Sequence, residues 1–282
     1  MARPVARLAL ALFVVAGCSS ASPSSTPGSA LDASSSRPDD ADATLGAHDA
    51  APTDVAQGGD GASVSGEAGS DGEAGISLAA DRFVTGVVAF DPTECTGFGA
   101  SSMPGIVEGP PVGGGTGRGS TDVVSLGSGG SIVVSFAPNA IVDGPGVDFI
   151  VFENPFWIGG NSNDVYAEPG EVSVSDDGVT WTTFPCTPTI DPQATDGTGV
   201  SPPYGECAGW HVVLSTPSNG ISPVDPSVSG GDPFDLADIG VTSARYVRIV
   251  DQTHEDCPET GSRADTNGFD LDAISIVNAQ IP

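Results

Sequence analysis

From Asp81 onward, short runs of β-branched and aromatic residues are broken repeatedly by glycine and proline, and no amphipathic helix of useful length appears. The whole chain carries 39 glycines and 24 prolines. Such punctuation leaves room for strands of about five or six residues, but not for the three or four turns of an ordinary helix. The expected strands are 82–90, 122–126, 131–136, 148–152, 171–175, 179–184, 210–214, 244–251 and 268–278. Ser131–Phe136 places Ile132, Val134 and Phe136 on one face. Asp148–Phe152 is apolar on both faces and belongs in the centre of a sheet. Asp176-Asp177-Gly178 predicts a tight turn joining strand 171–175 to its return. About nine short strands with turn signals between them predict an all-β, jelly-roll β-sandwich over 81–282. Phe234–Ile239 is the one segment with the look of a short helical turn.

The N-terminal part reads differently. Arg3 and Arg7 precede a short apolar run, Leu8–Ala16, that is too short to span a bilayer. A basic flank and a short apolar core read as an export signal over 1–17. The run ends Val15-Ala16-Gly17-Cys18, which resembles the lipobox of bacterial lipoproteins and implies a diacylglycerol on Cys18. Ser19 after the cysteine favours the outer membrane or cell surface. Residues 18–80 are rich in Ser, Ala, Gly, Pro and Asp and hold no aromatic residue. They cannot bury enough apolar surface to offset their ordering entropy, so a disordered tether is expected.

Beyond Cys18 the cysteines are Cys95, Cys186, Cys207 and Cys257, an even number for an oxidising compartment. Three pairings exist. Cys186–Cys207, closing a loop rich in Pro, Gly and Thr, is favoured, which leaves Cys95–Cys257. Zinc is disfavoured, because no Cys-x-x-Cys or His-x-x-x-His spacing accompanies them.

The formal net charge is −29, and all eight basic residues are arginines. Nucleic acid and anionic lipid headgroups both need a basic patch, so neither is an expected partner. The membrane is met through the lipid anchor alone. Cations suit the charge best, and calcium takes six to eight oxygen ligands. Oxygen-rich clusters occur at Glu153-Asn154, Asp232/Asp235, Asp251, and Asp265/Asn267/Asp270/Asp272. No EF-hand spacing is present. For a ligand, Trp157 beside Asn161, Asn163 and Asp164 has the chemistry to stack on a sugar ring and bond its hydroxyls. Trp210 reads as core packing. His48, His211 and His254 are the only histidines, and no nucleophile elbow, His-Glu-x-x-His or phosphate-binding loop is present. An enzyme is therefore not the expectation.

Val172-Ser173-Val174-Ser175-Asp176-Asp177-Gly178-Val179-Thr180-Trp181 resembles the V-x-V-S-x-D-G-x-x-W hairpin of discoidin-like (factor 5/8 type C, galactose-binding-like) domains. Ala244-Arg245-Tyr246-Val247-Arg248-Ile249 resembles a late strand of the same domains. The phrases Phe152-Glu153-Asn154-Pro155-Phe156 and Gly230-Gly231-Asp232-Pro233-Phe234-Asp235-Leu236 are similar to those of uncharacterised bacterial surface lipoproteins. The resemblance implies a jelly roll and a structural calcium ion held in part by Asp270 or Asp272. The segment from Pro185 to Gly231 has no counterpart in the discoidin-like pattern. The expected function is a lipid-anchored, calcium-stabilised surface module that binds glycan or a surface partner. The alternatives are a structural envelope protein without a small ligand and a glycoside hydrolase. In the Arg245/Arg248 strand, at least one arginine is expected to pair with a carboxylate of a neighbouring strand.

Overall fold

The computed structural model describes residues 80–93, 96–191, 193, 198–254 and 267–282. Cys18, the tether, Cys95, Asp265 and Cys257 lie outside the described residues. The described residues are all-β, with seventeen short strands and only 3₁₀ turns besides. No helix among them is long and apolar enough to cross a membrane.

Two antiparallel sheets share one core, which makes a β-sandwich. The larger has five strands in the order Gly86–Asp91, Ser131–Ser135, Tyr246–Asp251, Gly170–Ser175 and Thr182–Thr183. The smaller places Phe149–Phe152 between Asp232–Phe234 and Ala273–Ile276. Alternation decides the faces. Ile132, Val134, Val172, Val174, Val247 and Ile249 point inward from the five-stranded sheet. They meet Phe149, Val151, Phe234, Ile274 and Ile276 of the other. Burial of this apolar face is the main stabilising term. Phe149–Phe152 is buried on both sides, as its sequence requires. Phe149 and Val151 enter the main core, while Ile150 and Phe152 pack with Val213 and Ala273.

The strands are shorter and more numerous than the sequence suggests, because several break at residues with other work to do. The closing segment splits into Asp270–Leu271 and Ala273–Ile276 around Asp272. Ser243–Ala244 and Tyr246–Asp251 split around Arg245, which pairs with Asp176. That pair meets the expectation of an arginine held by a neighbouring strand. Residues 210–214 do not form the expected strand. Val213 makes one isolated bridge to Gly230, and the positive-φ pair Gly230 and Gly231 cannot sustain a ladder beside it. The turn after Ser175 is longer than expected. Asp177 Oδ1 accepts from Val179 N and Thr180 N, and pairing resumes only at Val174–Thr182. Leu236–Ile239 is the anticipated helical turn, N-capped by Asp235.

The Cys186–Cys207 disulfide is present. It closes the base of a segment that includes the small hairpin Thr189–Ile190/Val200–Ser201. Replacing both cysteines by serine is expected to cost on the order of 3 kcal/mol for a loop of this length. Calorimetry will show a lower melting temperature, and limited proteolysis will cut within 186–207 before it reaches either sheet.

Candidate metal centre and the neighbouring cleft

Three acidic side chains from separate parts of the chain converge. Glu153 follows the doubly buried strand Phe149–Phe152, so its side chain starts inside the domain. Glu168 lies just ahead of Gly170–Ser175, and Asp270 opens the short strand paired with Val124–Ser125. One carboxylate oxygen from each lies within 4.8 Å of the other two. Their exposures are 1%, 2% and 6%.

No described arginine pairs with Glu153. Among the described residues the ion pairs are His211–Asp232 and Arg245–Asp176. Arg82 bonds the carbonyls of Ile276 and Val277, and Arg248 stacks over Trp181. Within the cluster, Asp270 N donates to Glu153 Oε1 at 3.2 Å, and Asn154 Nδ2 donates to Asp270 Oδ2 at 3.1 Å. Glu153 Oε2 is buried and has no hydrogen-bond partner. Burial first, then the charge of Asp270, pushes the Glu153 carboxyl well above the ordinary carboxylate range. Such a cluster is satisfied by shared protons or by a cation. Its donors are all carboxylate oxygens, the set a hard divalent ion such as calcium prefers.

The sequence assigned seven residues to metal, and the structure brings three of them, Glu153, Asn154 and Asp270, to this centre. The other four stand elsewhere, with their oxygens engaged. Asp232 accepts from Gly209 N at 2.7 Å and contacts His211 Nδ1 at 2.7 Å. Asp235 caps the 3₁₀ turn through Ala237 N. Its neighbours Asp143 and Asp148 form a second acidic group with it. Asp148 is already filled, accepting from Gly144 N, Asn278 Nδ2 and Leu236 N. Asp251 accepts four donors from three segments. Asp272 receives Val112 N on both oxygens. Burial pushes its carboxyl up to about 8.

Glu168 escaped the sequence reading. It stands alone in Tyr166-Ala167-Glu168-Pro169-Gly170, and only sheet pairing brings it to residues 153 and 270. The available signal was a lone acid between small or apolar neighbours at the entry of a strand.

Beside this centre lies a cleft of about 740 Å³. Asn163, Asp164, Asp191, Gln193, Tyr204 and Trp210 line it, with Val200, Pro202 and Pro203. Asn161 does not line it but shapes it, since Asn161 Oδ1 accepts from Asn163 N. Trp157 lines a shallower depression of about 470 Å³ that shares Ser162, Val165 and Trp210 with the first. Trp210 packs on the small buried cluster of Ala167, Val200, Tyr204 and Cys207, as expected, and its remaining face is the wall common to both hollows. Its Nε1 donates to Cys207 O at 3.0 Å, and its ring centroid lies 6.1 Å from that of Tyr204. The centre and the cleft are joined by backbone. Gly170 and Ala208 exchange hydrogen bonds in both directions. Gly209 has φ 95°, and a Cβ there would lie 2.3 Å from Glu168 O.

Neither a protein-family model nor a curated protein sequence matches this chain. The site itself carries the functional argument.

Proposed function

We propose that the domain is a calcium-stabilised binding module held at the bacterial surface by a lipid on Cys18, with its ligand, a glycan, received in the cleft beside Trp210. The observation that carries the metal is the buried trio Glu153, Glu168 and Asp270 with the unpartnered Glu153 Oε2. A buried carboxylate oxygen without a partner, such as Glu153 Oε2, is expensive, and a divalent cation offsets that cost. The cation would be held by those three residues, with Asn154 beside them. It would cross-link the end of a central strand, the entry of a second and the opening of a third. Its role in this reading is structural. It fixes the segment from which Trp210 projects.

The glycan rests on the cleft's mixture of aromatic and amide groups. Flat rings cover the apolar face of a pyranose while amides and carboxylates bond its hydroxyls. Support for the anchor comes from the sequence alone, in Arg3, Arg7, the run Leu8–Ala16 and Cys18. Cys18→Ser is expected to release the protein from the membrane fraction, read by fractionation and acyl labelling. The module itself is tested by titrating calcium chloride into chelator-treated protein in a calorimeter. A saturable heat, accompanied by a rise in melting temperature, is the expected result. No heat and no rise overturn the metal reading.

A further inference from the structure

The cleft's charge narrows its ligand. Among the described residues, those lining the larger cleft include two carboxylates, Asp164 and Asp191, and no basic side chain. The described lining of the adjoining depression brings His211 and no arginine. The chain as a whole carries −29. A uronic, sialylated or sulfated glycan would meet repulsion both at long range and at the wall. A cationic ligand is steered in and then met by carboxylates.

The geometry favours a ring rather than a flexible chain. Asp164 is placed by the turn Ile158–Asp164, where Ile158 N donates to Asp164 O and Asp164 N donates to Asn161 O. Asp191, in the same lining, is held by Gln193 N, which donates to its Oδ1, and by Asp191 N donating to Gly199 O. Trp210, anchored through Cys207, and Tyr204 line the same cleft, with interplanar angle 44°. Asn163 and Gln193 supply amides at the rim. An aromatic floor, amides for hydroxyls and acids for a positive group together describe a sugar bearing a free amine. An ammonium near an aromatic face gains further from cation–π attraction.

We infer that the Trp210 cleft selects an amine-bearing saccharide, a 2-amino-2-deoxyhexose unit, over neutral, N-acetylated and acidic sugars. This names the ligand class of the glycan site proposed above; it does not depend on the metal. Binding is strongest while the amine is protonated, and it weakens with added salt.

The test uses the exported protein, saturated with calcium, and four probes of matched length: a β-1,4-glucosamine tetramer, its fully N-acetylated form, cellotetraose and an oligogalacturonate. Spermidine serves as an amine without a sugar ring. Tryptophan fluorescence and calorimetry follow binding. The glucosamine tetramer is expected to bind at least tenfold more tightly than any other probe. Trp210→Ala abolishes binding, while Trp210→Phe keeps much of it. Asp164→Asn with Asp191→Asn removes the preference for the free amine, leaving a weak affinity common to the neutral sugars. The calcium-dependent rise in melting temperature reports that each variant is folded. Equal binding of the N-acetylated or neutral tetramer overturns the amine assignment and leaves a glycan site. Equal binding of spermidine overturns the saccharide. Silence toward every probe, with calcium still stabilising the domain, overturns the cleft and leaves the metal centre standing.

Discussion

Glu153→Gln will stabilise the chelated domain and abolish its response to calcium. In the absence of a cation, the wild-type centre crowds three carboxyl groups into a space that excludes water. Removing one ionisable group relieves desolvation and repulsion together, so the variant melts at or above the wild-type temperature in chelator. Calcium reverses the ranking. At about a hundredfold excess over Kd, a ligand that binds only the folded state adds about 2.7 kcal/mol. For a domain of this size that is roughly 5–10 °C in melting temperature. The wild type gains it and Glu153→Gln does not, so the two melting curves cross between the two buffers. A merely structural Glu153, satisfied by sharing a proton, predicts no crossing. Paired scanning calorimetry in chelator and in calcium decides between them.

The same centre fixes the sign of the pH dependence. The Glu153 carboxyl is raised in the folded state, chiefly by burial and next by Asp270. Between the ordinary carboxylate pKa and the raised one, the folded protein holds a proton that the unfolded chain has released. Its contribution is therefore fully present below the unfolded pKa and is lost as pH rises through the folded pKa. Asp232 is raised as well, again by burial, and adds in the same direction. Chelated protein should lose stability as pH rises above the ordinary carboxylate range. Bound calcium holds the carboxylates ionised, which turns their contribution to the opposite sign, and binding should release protons. Melting temperatures across pH, with and without calcium, give two slopes; parallel slopes would remove the cation from the account.

What could be read in advance follows a physical division. Alternation is local, so Ile132/Val134, Val172/Val174 and Val247/Ile249 announced their faces, and the apolar run 149–152 announced its central place. The Cys186–Cys207 pairing was legible because its loop is short and polar. The acidic centre was only half legible. Glu153, Asn154 and Asp270 lie in acid-rich or amide-rich phrases, whereas Glu168 belongs to the centre only through the pairing of distant strands. Trp210 was half legible for a related reason: it packs on a buried cluster but also faces a cleft. Its neighbours Val212 and Val213 suggest a buried strand, but Gly209, Gly230 and Gly231 at positive φ bend the backbone away from a ladder and leave the ring on a cleft wall. Conversely, acids such as Asp251 and Asp272 look like metal ligands in one dimension and prove to be acceptors for backbone amides in three.

Asp251 carries the largest single-residue effect expected in the domain. It ends the strand Tyr246–Asp251 and is 3% exposed. Oδ1 accepts from Phe269 N at 2.7 Å. Oδ2 accepts from Gly129 N at 2.8 Å, Thr253 N at 3.0 Å and Thr253 Oγ1 at 2.8 Å. One side chain therefore ties the turn before Ser131, the end of its own strand and the approach to Asp270. Asp251→Ala strands three buried donors, Phe269 N, Thr253 N and Thr253 Oγ1, where water cannot replace the acceptor, and leaves the exposed Gly129 N to solvent; a hydrogen bond to a charged group is worth about 1.5–3 kcal/mol. Partial relaxation reduces the sum, and a loss of roughly 4 kcal/mol or more remains. Asp251→Asn keeps the shape but turns one acceptor into a donor facing other donors, so it should recover little. This contrasts with Glu153→Gln, where the amide relieves repulsion. Because Phe269 precedes Asp270, the Asp251 variants should also weaken calcium binding without touching the ion. Urea unfolding of both variants measures the loss. A change under 1 kcal/mol in Asp251→Asn would mean that the four donors find other partners, and the clamp would have to be abandoned.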